Sequence, residues 1–206
     1  MSHDTWIHRI ARILVRPLVR TPVTPNHITT ARLATGLAAA AAFGTGSPGW
    51  AQAGAGLFLV SMLLDRADGE LARLAGKSSR WGHVYDLIAD AVVNALTFVG
   101  VGVGLVAAGW WNPVLGIVAG VAVAAALVLV LRVERERGHR AGELQGAWGF
   151  DPDDAMIVVP VAMALGAAEP LLWASALVAP LFTAYMVVRL RARRVAAAAL
   201  GTIQRP

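Results

Sequence analysis

The stretch from residue 65 to residue 90 reads DRADGELARLAGKSSRWGHVYDLIAD and places four aspartates around one short break. Asp65 and Asp68 are three residues apart and Asp86 and Asp90 are four apart, so each pair shares one face of a helix. The glycine-containing break between the pairs predicts a tight turn that makes the two helices antiparallel neighbours. We therefore expect the four carboxylates to converge on one small volume.

Long apolar segments flank this stretch on both sides. The chain has 206 residues, of which 57% are hydrophobic, whereas soluble domains usually have ~45–50% apolar residues. A helix that crosses a bilayer needs roughly 20 mostly apolar residues. We predict an all-α integral membrane bundle of six transmembrane helices, at about residues 26–46, 50–75, 82–109, 113–133, 153–168 and 170–191.

Small residues recur four apart on two of the predicted helices, and such stripes let membrane helices approach closely. The stripes are Gly36, Ala40 and Gly44, and separately Gly116 and Gly120. We expect a single helical domain over residues 26–191, and a basic cytosolic tail over residues 192–206.

Residues 1–25 are predicted to contain an amphipathic helix that lies in the membrane interface. Ile10, Ile13 and Leu14 recur at helical spacing among arginines, and no short apolar core with a cleavage site follows. The alternative is a basic anchor with no further role.

The positive charges lie at one side of the predicted helices. The net charge is +5, and the lysines and arginines cluster at the ends that the aspartates share, which predicts that these ends and both termini are cytosolic. We expect the inner membrane of a bacterial cell. Because topology accounts for the basic balance, no nucleic-acid partner is expected.

Carboxylates near a bilayer are costly, so four of them favour a functional site. Like charges this close require protonation or a bound cation. The chain has no cysteine, and oxygen ligands favour magnesium, manganese or calcium. Gly69 and Ala72 lack bulk, so a base or a phosphate can approach the helix, and Arg73 can meet phosphate oxygens. The alternative is a set of salt bridges from the aspartates to Arg73 or Arg80.

The pattern D-x2-D-G-x2-A-R-x8-G-x3-D-x3-D, from Asp65 to Asp90, resembles the complete signature of the CDP-alcohol phosphotransferase family. The segment PNHITTAR, residues 25–32, more weakly resembles the opening of the first helix in many members. The resemblance implies a homodimeric membrane enzyme of phospholipid synthesis. Such an enzyme transfers a substituted phosphoryl group from a CDP-linked lipid to a small alcohol and releases CMP.

The resemblance also implies site residues and a cofactor of one or two Mg²⁺ or Mn²⁺ ions. The metal-ligating candidates are Asp65, Asp68, Asp86 and Asp90, and Asp90 is also the candidate general base. The candidate donor-binding residues are Asn26, Thr29, Arg32, Gly69, Ala72, Arg73 and Gly82. For the first three of these, a helix cap with a snorkelling arginine is the alternative.

The residue after Asp90 bears on the acceptor. Members that use glycerol 3-phosphate or inositol phosphate commonly have Lys or Arg there, whereas this chain has Ala91. We therefore expect CDP-diacylglycerol as donor and an unphosphorylated alcohol such as serine as acceptor. The alternative is a phosphorylated acceptor bound by Arg80. An alternative of another class is an ion or proton transporter that uses intramembrane carboxylates.

Overall fold

The computed structural model describes residues 6–110, 113–137 and 156–203, and all the regular secondary structure of these residues is helical. The helices of this part of the chain are α1 (Trp6–Val15), α2 (Pro25–Gly44), α3 (Pro48–Leu74), α4 (Arg80–Ala107), α5 (Val114–Arg137), α6 (Val158–Ala164) and α7 (Ala168–Ile203). The all-α prediction is confirmed, and α1 lies where the amphipathic helix was expected.

Helices α2 to α5 follow the first four predicted segments closely. The predicted segment 153–168 begins outside the described residues, and α6 covers only seven residues of it. At 1.5 Å per residue α6 is about 10 Å long, well short of a bilayer core of about 30 Å. The last segment, predicted to end at residue 191, lies within the longer α7.

One helix in the described part of the chain, Arg80–Ala107, is long and apolar enough to cross a membrane on its own, with a mean hydropathy of 1.8 over its most apolar stretch. Val114–Ala126 is a shorter apolar helix. Length and composition in the structure therefore support one membrane-crossing helix, where the sequence pattern predicts six.

Helix α2 packs extensively against both α3 and α4. Gly36 of α2 faces Val93 of α4 and Ser61 of α3, and a Cβ at this glycine would lie 2.6 Å from the Val93 methyl groups. The direct contact between α3 and α4 is slight. The expectation that these two helices are neighbours is therefore wrong, because α2 separates them.

The order of contacts along α2 gives the helix directions. From Arg32 towards Phe43, the partners on α3 run backwards from Asp65 to Gly54, and those on α4 run forwards from Asp86 to Gly104. Helix α2 is thus antiparallel to α3 and parallel to α4. The aspartate-bearing end of α3 and the start of α4 therefore lie at the same end of the bundle.

Glycines set how closely the helices approach. A Cβ at Gly104 would overlap with the carbonyl oxygen of Phe43 on α2. On α5, a Cβ at Gly116 would lie 2.7 Å from the carbonyl oxygen of Phe98 on α4, and one at Gly120 2.8 Å from that of Ala95. The predicted small-residue stripes therefore lie at helix contacts, and α4 contributes a further glycine that the sequence pattern did not single out.

Helix α1 lies against α3. Ala11 and Val15 are buried in a small core with Ala67 and Leu71, whereas Ile10, Ile13 and Leu14 are exposed. One face of α1 is thus docked on the helix that carries Asp65 and Asp68, and its exposed apolar side chains suit a membrane interface.

We expect Gly104→Ala to lower the free energy of unfolding by about 1–3 kcal/mol, because the added methyl group meets a backbone carbonyl that cannot move aside. Thermal unfolding in detergent measures this loss. Gly56→Ala is the matched control, since a Cβ at that position of α3 has no neighbour within 4 Å. Equal stability of the two variants would show that α2 and α4 do not approach this closely.

Candidate functional site

Three carboxylates meet where α3 ends and α4 begins. One carboxylate oxygen from each of Asp65, Asp68 and Asp86 lies within 4.8 Å of the other two. The start of α4 is fixed by Ser79, whose hydroxyl oxygen accepts a 2.9 Å hydrogen bond from the backbone N–H of Gly82. The expected convergence of these three carboxylates is therefore confirmed.

Arg32 of α2 reaches into the same volume, and its side chain is only 3% exposed. Its Nη1 lies 2.8 Å from Asp65 Oδ1 and 2.8 Å from Asp86 Oδ1, and its Nη2 contacts Asp90 Oδ1. Arg32 is therefore not a snorkelling arginine. From its position on α2, it links the carboxylate of Asp65 on α3 to those of Asp86 and Asp90 on α4.

Two further polar contacts hold the aspartates of α3. The hydroxyl group of Thr29, which is buried, donates a 2.7 Å hydrogen bond to Asp68 Oδ2. The guanidinium group of Arg66 donates to Asp65 Oδ2 at 3.0 Å. The alternative of interhelical salt bridges is thus correct in kind, but the arginine that bridges the helices is Arg32 rather than Arg73 or Arg80.

The donor set fits a hard divalent cation. It consists of carboxylate oxygens, which Mg²⁺ and Mn²⁺ prefer, and each oxygen has lone pairs beyond those used by the arginines. If all four aspartates are ionised, Arg32 and Arg66 offset half of their charge, and a divalent cation would neutralise the rest. Asp65, Asp68 and Asp86 are therefore the residues that would hold a metal ion.

Asp90 is not one of the three residues whose oxygens lie within 4.8 Å of one another, and it lines a small cavity. The cavity has a volume of about 30 Å³, and Arg66, Asn94 and Met156 also line it beside Asp90 and Asp65. This volume is enough for a water-sized polar group. The sequence predicted that Asp90 is both a metal ligand and the general base. Its position at the cavity suits the role of general base.

Gly69 and Gly82 differ in the space that surrounds them. Gly69 is exposed, and a Cβ there would have no neighbour within 4 Å, so protein packing does not require a glycine at this position. A Cβ at Gly82 would lie 3.1 Å from Asn26 Oδ1, which brings Asn26 to the start of α4. A ligand can therefore approach the backbone at Gly69.

The remaining predicted residues lie further out. Ala72 follows on α3, and Arg80 is exposed at the first residue of α4. Arg73 is partly exposed, and its Nη2 donates to Glu70 Oε1 at 2.8 Å. Among the described residues, no ion pair joins Arg80 to Asp65, Asp68 or Asp86.

Sequence reasoning missed Arg66 and Glu70. Both lie inside the pattern from Asp65 to Arg73, at positions that the pattern leaves open. The sequence contained one signal, because an acidic side chain three residues before an arginine on a helix can form an ion pair with it. That signal pointed to Glu70, whereas nothing in the spacing separated Arg66 from the other basic residues.

The sequence profile of the CDP-alcohol phosphatidyltransferase family matches residues 22–181. No individual curated protein matches the chain. The matched range includes α2 to α6 and all the carboxylates described above. Members of this family are membrane enzymes that transfer substituted phosphate groups from CDP-alcohol donors to an alcohol.

We expect Gly69→Ala to fold normally and yet bind a CDP donor at least about tenfold more weakly, because the methyl group fills space that only a ligand would occupy. The variant should gain about 0.5–1 kcal/mol of stability from the replaced helical glycine. Gly56→Ala on the same helix should gain the same stability without a change in the donor KM. Unchanged donor KM values in both variants would show that the donor does not approach α3 at Gly69.

Proposed function

Because the chain belongs to the CDP-alcohol phosphatidyltransferase family, we propose that it transfers a phosphatidyl group from CDP-diacylglycerol to a small unphosphorylated alcohol and releases CMP. Serine is the kind of acceptor that we favour. The family match makes the chain a transferase, which sets the transporter alternative aside.

The observation that carries the proposal is the group of three carboxylates beside an open helix face. A diphosphate needs cations around its oxygens, and a divalent ion held by Asp65, Asp68 and Asp86 would neutralise charge that develops on the departing CMP. Gly69 leaves room for the nucleotide on that side. Asn26, Thr29, Arg32, Ala72 and Arg73 complete the proposed donor site.

Asp90 is the proposed general base. Asp90 lines the small cavity together with Asp65, and it is not one of the three residues whose oxygens lie within 4.8 Å of one another. The acceptor hydroxyl group gives its proton to Asp90 as the acceptor oxygen attacks the phosphorus that carries the lipid, and the bond from that phosphorus to the CMP oxygen breaks. Arg32 contacts Asp90 and holds its carboxylate in place.

The surroundings of Asp90 support an acceptor without a phosphate group. Ala91 follows it, and the arginines nearest the cavity, Arg32 and Arg66, already lie at 2.8 Å and 3.0 Å from Asp65. The alternative acceptors, inositol phosphate and glycerol 3-phosphate, would need a further cation. Arg80 remains the candidate for that role.

We propose six membrane spans with both termini and the site on the cytosolic side. The apolar composition, the one-sided basic clusters and membership in a family of membrane enzymes support this arrangement. Helix α1 then lies in the interface, with Ile10, Ile13 and Leu14 towards the lipid. The homodimer stays a prediction from the family resemblance.

CMP release tests the function directly. Purified protein with CDP-diacylglycerol and Mg²⁺ or Mn²⁺ should release CMP when serine is added, and a chelator should stop the reaction. Ethanolamine, choline, inositol, glycerol 3-phosphate and inositol phosphate serve as competing acceptors. Exclusive use of a phosphorylated alcohol, blocked by Arg80→Ala, would replace our acceptor by the alternative, and full activity with excess chelator would contradict the metal assignment.

Two aspartate variants separate the proposed roles within this assay. Asp65→Asn should lose metal-dependent CDP binding and turnover together, because it removes a ligand. Asp90→Asn should keep CDP binding and lose turnover by at least about a hundredfold, as expected for a general base. If both variants lost CDP affinity equally, Asp90 would be a metal ligand and the base would lie elsewhere.

Reporter fusions test the proposed topology. Fusions at Ser47, Asn112 and Glu169 should report an extracytoplasmic position, because these connections lack lysine and arginine. A fusion at Lys77, next to the carboxylates, should report a cytosolic position. Cytosolic signals at the first three sites would contradict the six spans and the side on which the site lies.

A further inference from the structure

Glu70 is a buried acid on α3 that the proposed reaction does not use. Its side chain is only 2% exposed, and both carboxylate oxygens accept hydrogen bonds from arginines. Oε1 accepts from Arg73 Nη2 at 2.8 Å, and Oε2 accepts from Arg12 Nε at 3.3 Å. A carboxylate buried this deeply depends on such partners, because the loss of either removes part of the compensation of its charge.

The two arginines come from different parts of the fold. Arg73 is one turn along α3 from Glu70, whereas Arg12 belongs to α1. Ala11 and Val15, which flank Arg12, are buried against α3. The docking of α1 therefore brings Arg12 to Glu70 and covers the carboxylate.

Pairing with Glu70 orders a side chain that would otherwise be mobile. Arg73 is at the last turn of α3 and its side chain is 36% exposed, and a long exposed side chain loses rotamer entropy when a ligand orders it. The guanidinium group has five N–H donors, so the bond to Glu70 fixes its direction and leaves other donors for phosphate oxygens.

We infer that Glu70 is a positioning residue that presents Arg73 to the donor diphosphate, and that Arg12 of the interfacial helix holds Glu70 in place. This inference rests on the proposed function, since it takes the ligand of Arg73 to be a CDP-alcohol. Donor binding is thereby linked to the docking of α1 on α3, which gives the amphipathic segment a role beyond anchoring.

The test is equilibrium binding of CDP, with Mg²⁺, to purified full-length protein in detergent. Glu70→Gln and Arg12→Gln should each weaken binding about tenfold, the size expected when one charge-assisted hydrogen bond is lost. Arg16→Gln removes the same charge from an exposed position of the same segment and should leave CDP binding unchanged. Thermal unfolding of each variant confirms that it is folded.

The decisive comparison is a double-mutant cycle with Arg73→Gln. If Glu70 acts through Arg73, Glu70→Gln should cause no further loss of CDP affinity in the Arg73→Gln protein, whereas a general structural defect would add to it. In the transfer assay, the donor KM should rise while the acceptor KM stays the same.

The outcomes distinguish the inference from the proposed function. Wild-type protein that fails to bind CDP would overturn both. CDP binding that is insensitive to Glu70→Gln, or additive losses in the cycle, would overturn the positioning role alone. If Glu70→Gln does not fold, the Arg12→Gln arm of the same cycle decides, because this substitution lies at the periphery of the bundle.

Discussion

The ion pairs of one buried arginine, Arg32, hold the acidic end of this bundle together. Removal of carboxylates from water is costly, and a compensating positive charge has to lie within a few ångströms of them. Arg32 supplies it from α2, with Nη1 at 2.8 Å from both Asp65 and Asp86. Because one guanidinium group serves carboxylates on two different helices, α2 has to lie between α3 and α4. The central position of α2 thus follows from an electrostatic requirement as well as from packing.

Close helix contacts allow α2 to occupy that position. Gly36 fits against Val93 and Ser61, and Gly104 fits against the backbone of Phe43 at the other end of α2. Ser61 donates to the carbonyl oxygen of Arg32 at 3.1 Å, which ties α2 to α3 beside the carboxylates. Contacts deep in the bundle therefore set the depth and direction of the guanidinium group, so packing far from the acidic residues determines how they are arranged.

The sequence predicted faces and spacing well but predicted neighbours poorly. The periodicity of Asp65, Asp68 and Asp86 was enough to foresee their convergence, and the helix bounds of α2 to α5 follow the apolar segments. The short connection between α3 and α4 correctly suggested that they are antiparallel, but their direct contact is slight, because spacing along the chain does not show that a third helix lies between two others. For the same reason the partners of Arg32, and the burial of Glu70 by α1, were not predictable: both depend on which helices meet.

In the proposed reaction, the donor and the acceptor would use different residues around the aspartates. Gly69 adjoins Asp68 in the chain and does not line the cavity, whereas Asp90 and Asn94 do. Asp65 and Arg32 contribute to both sides. A donor placed at Gly69 would therefore meet an acceptor hydroxyl group at the cavity beside Asp65 and Arg32. In-line displacement at phosphorus needs the attacking and leaving oxygens on opposite sides, and a donor at Gly69 with an acceptor hydroxyl group at Asp90 would meet that need with Asp65 shared between them.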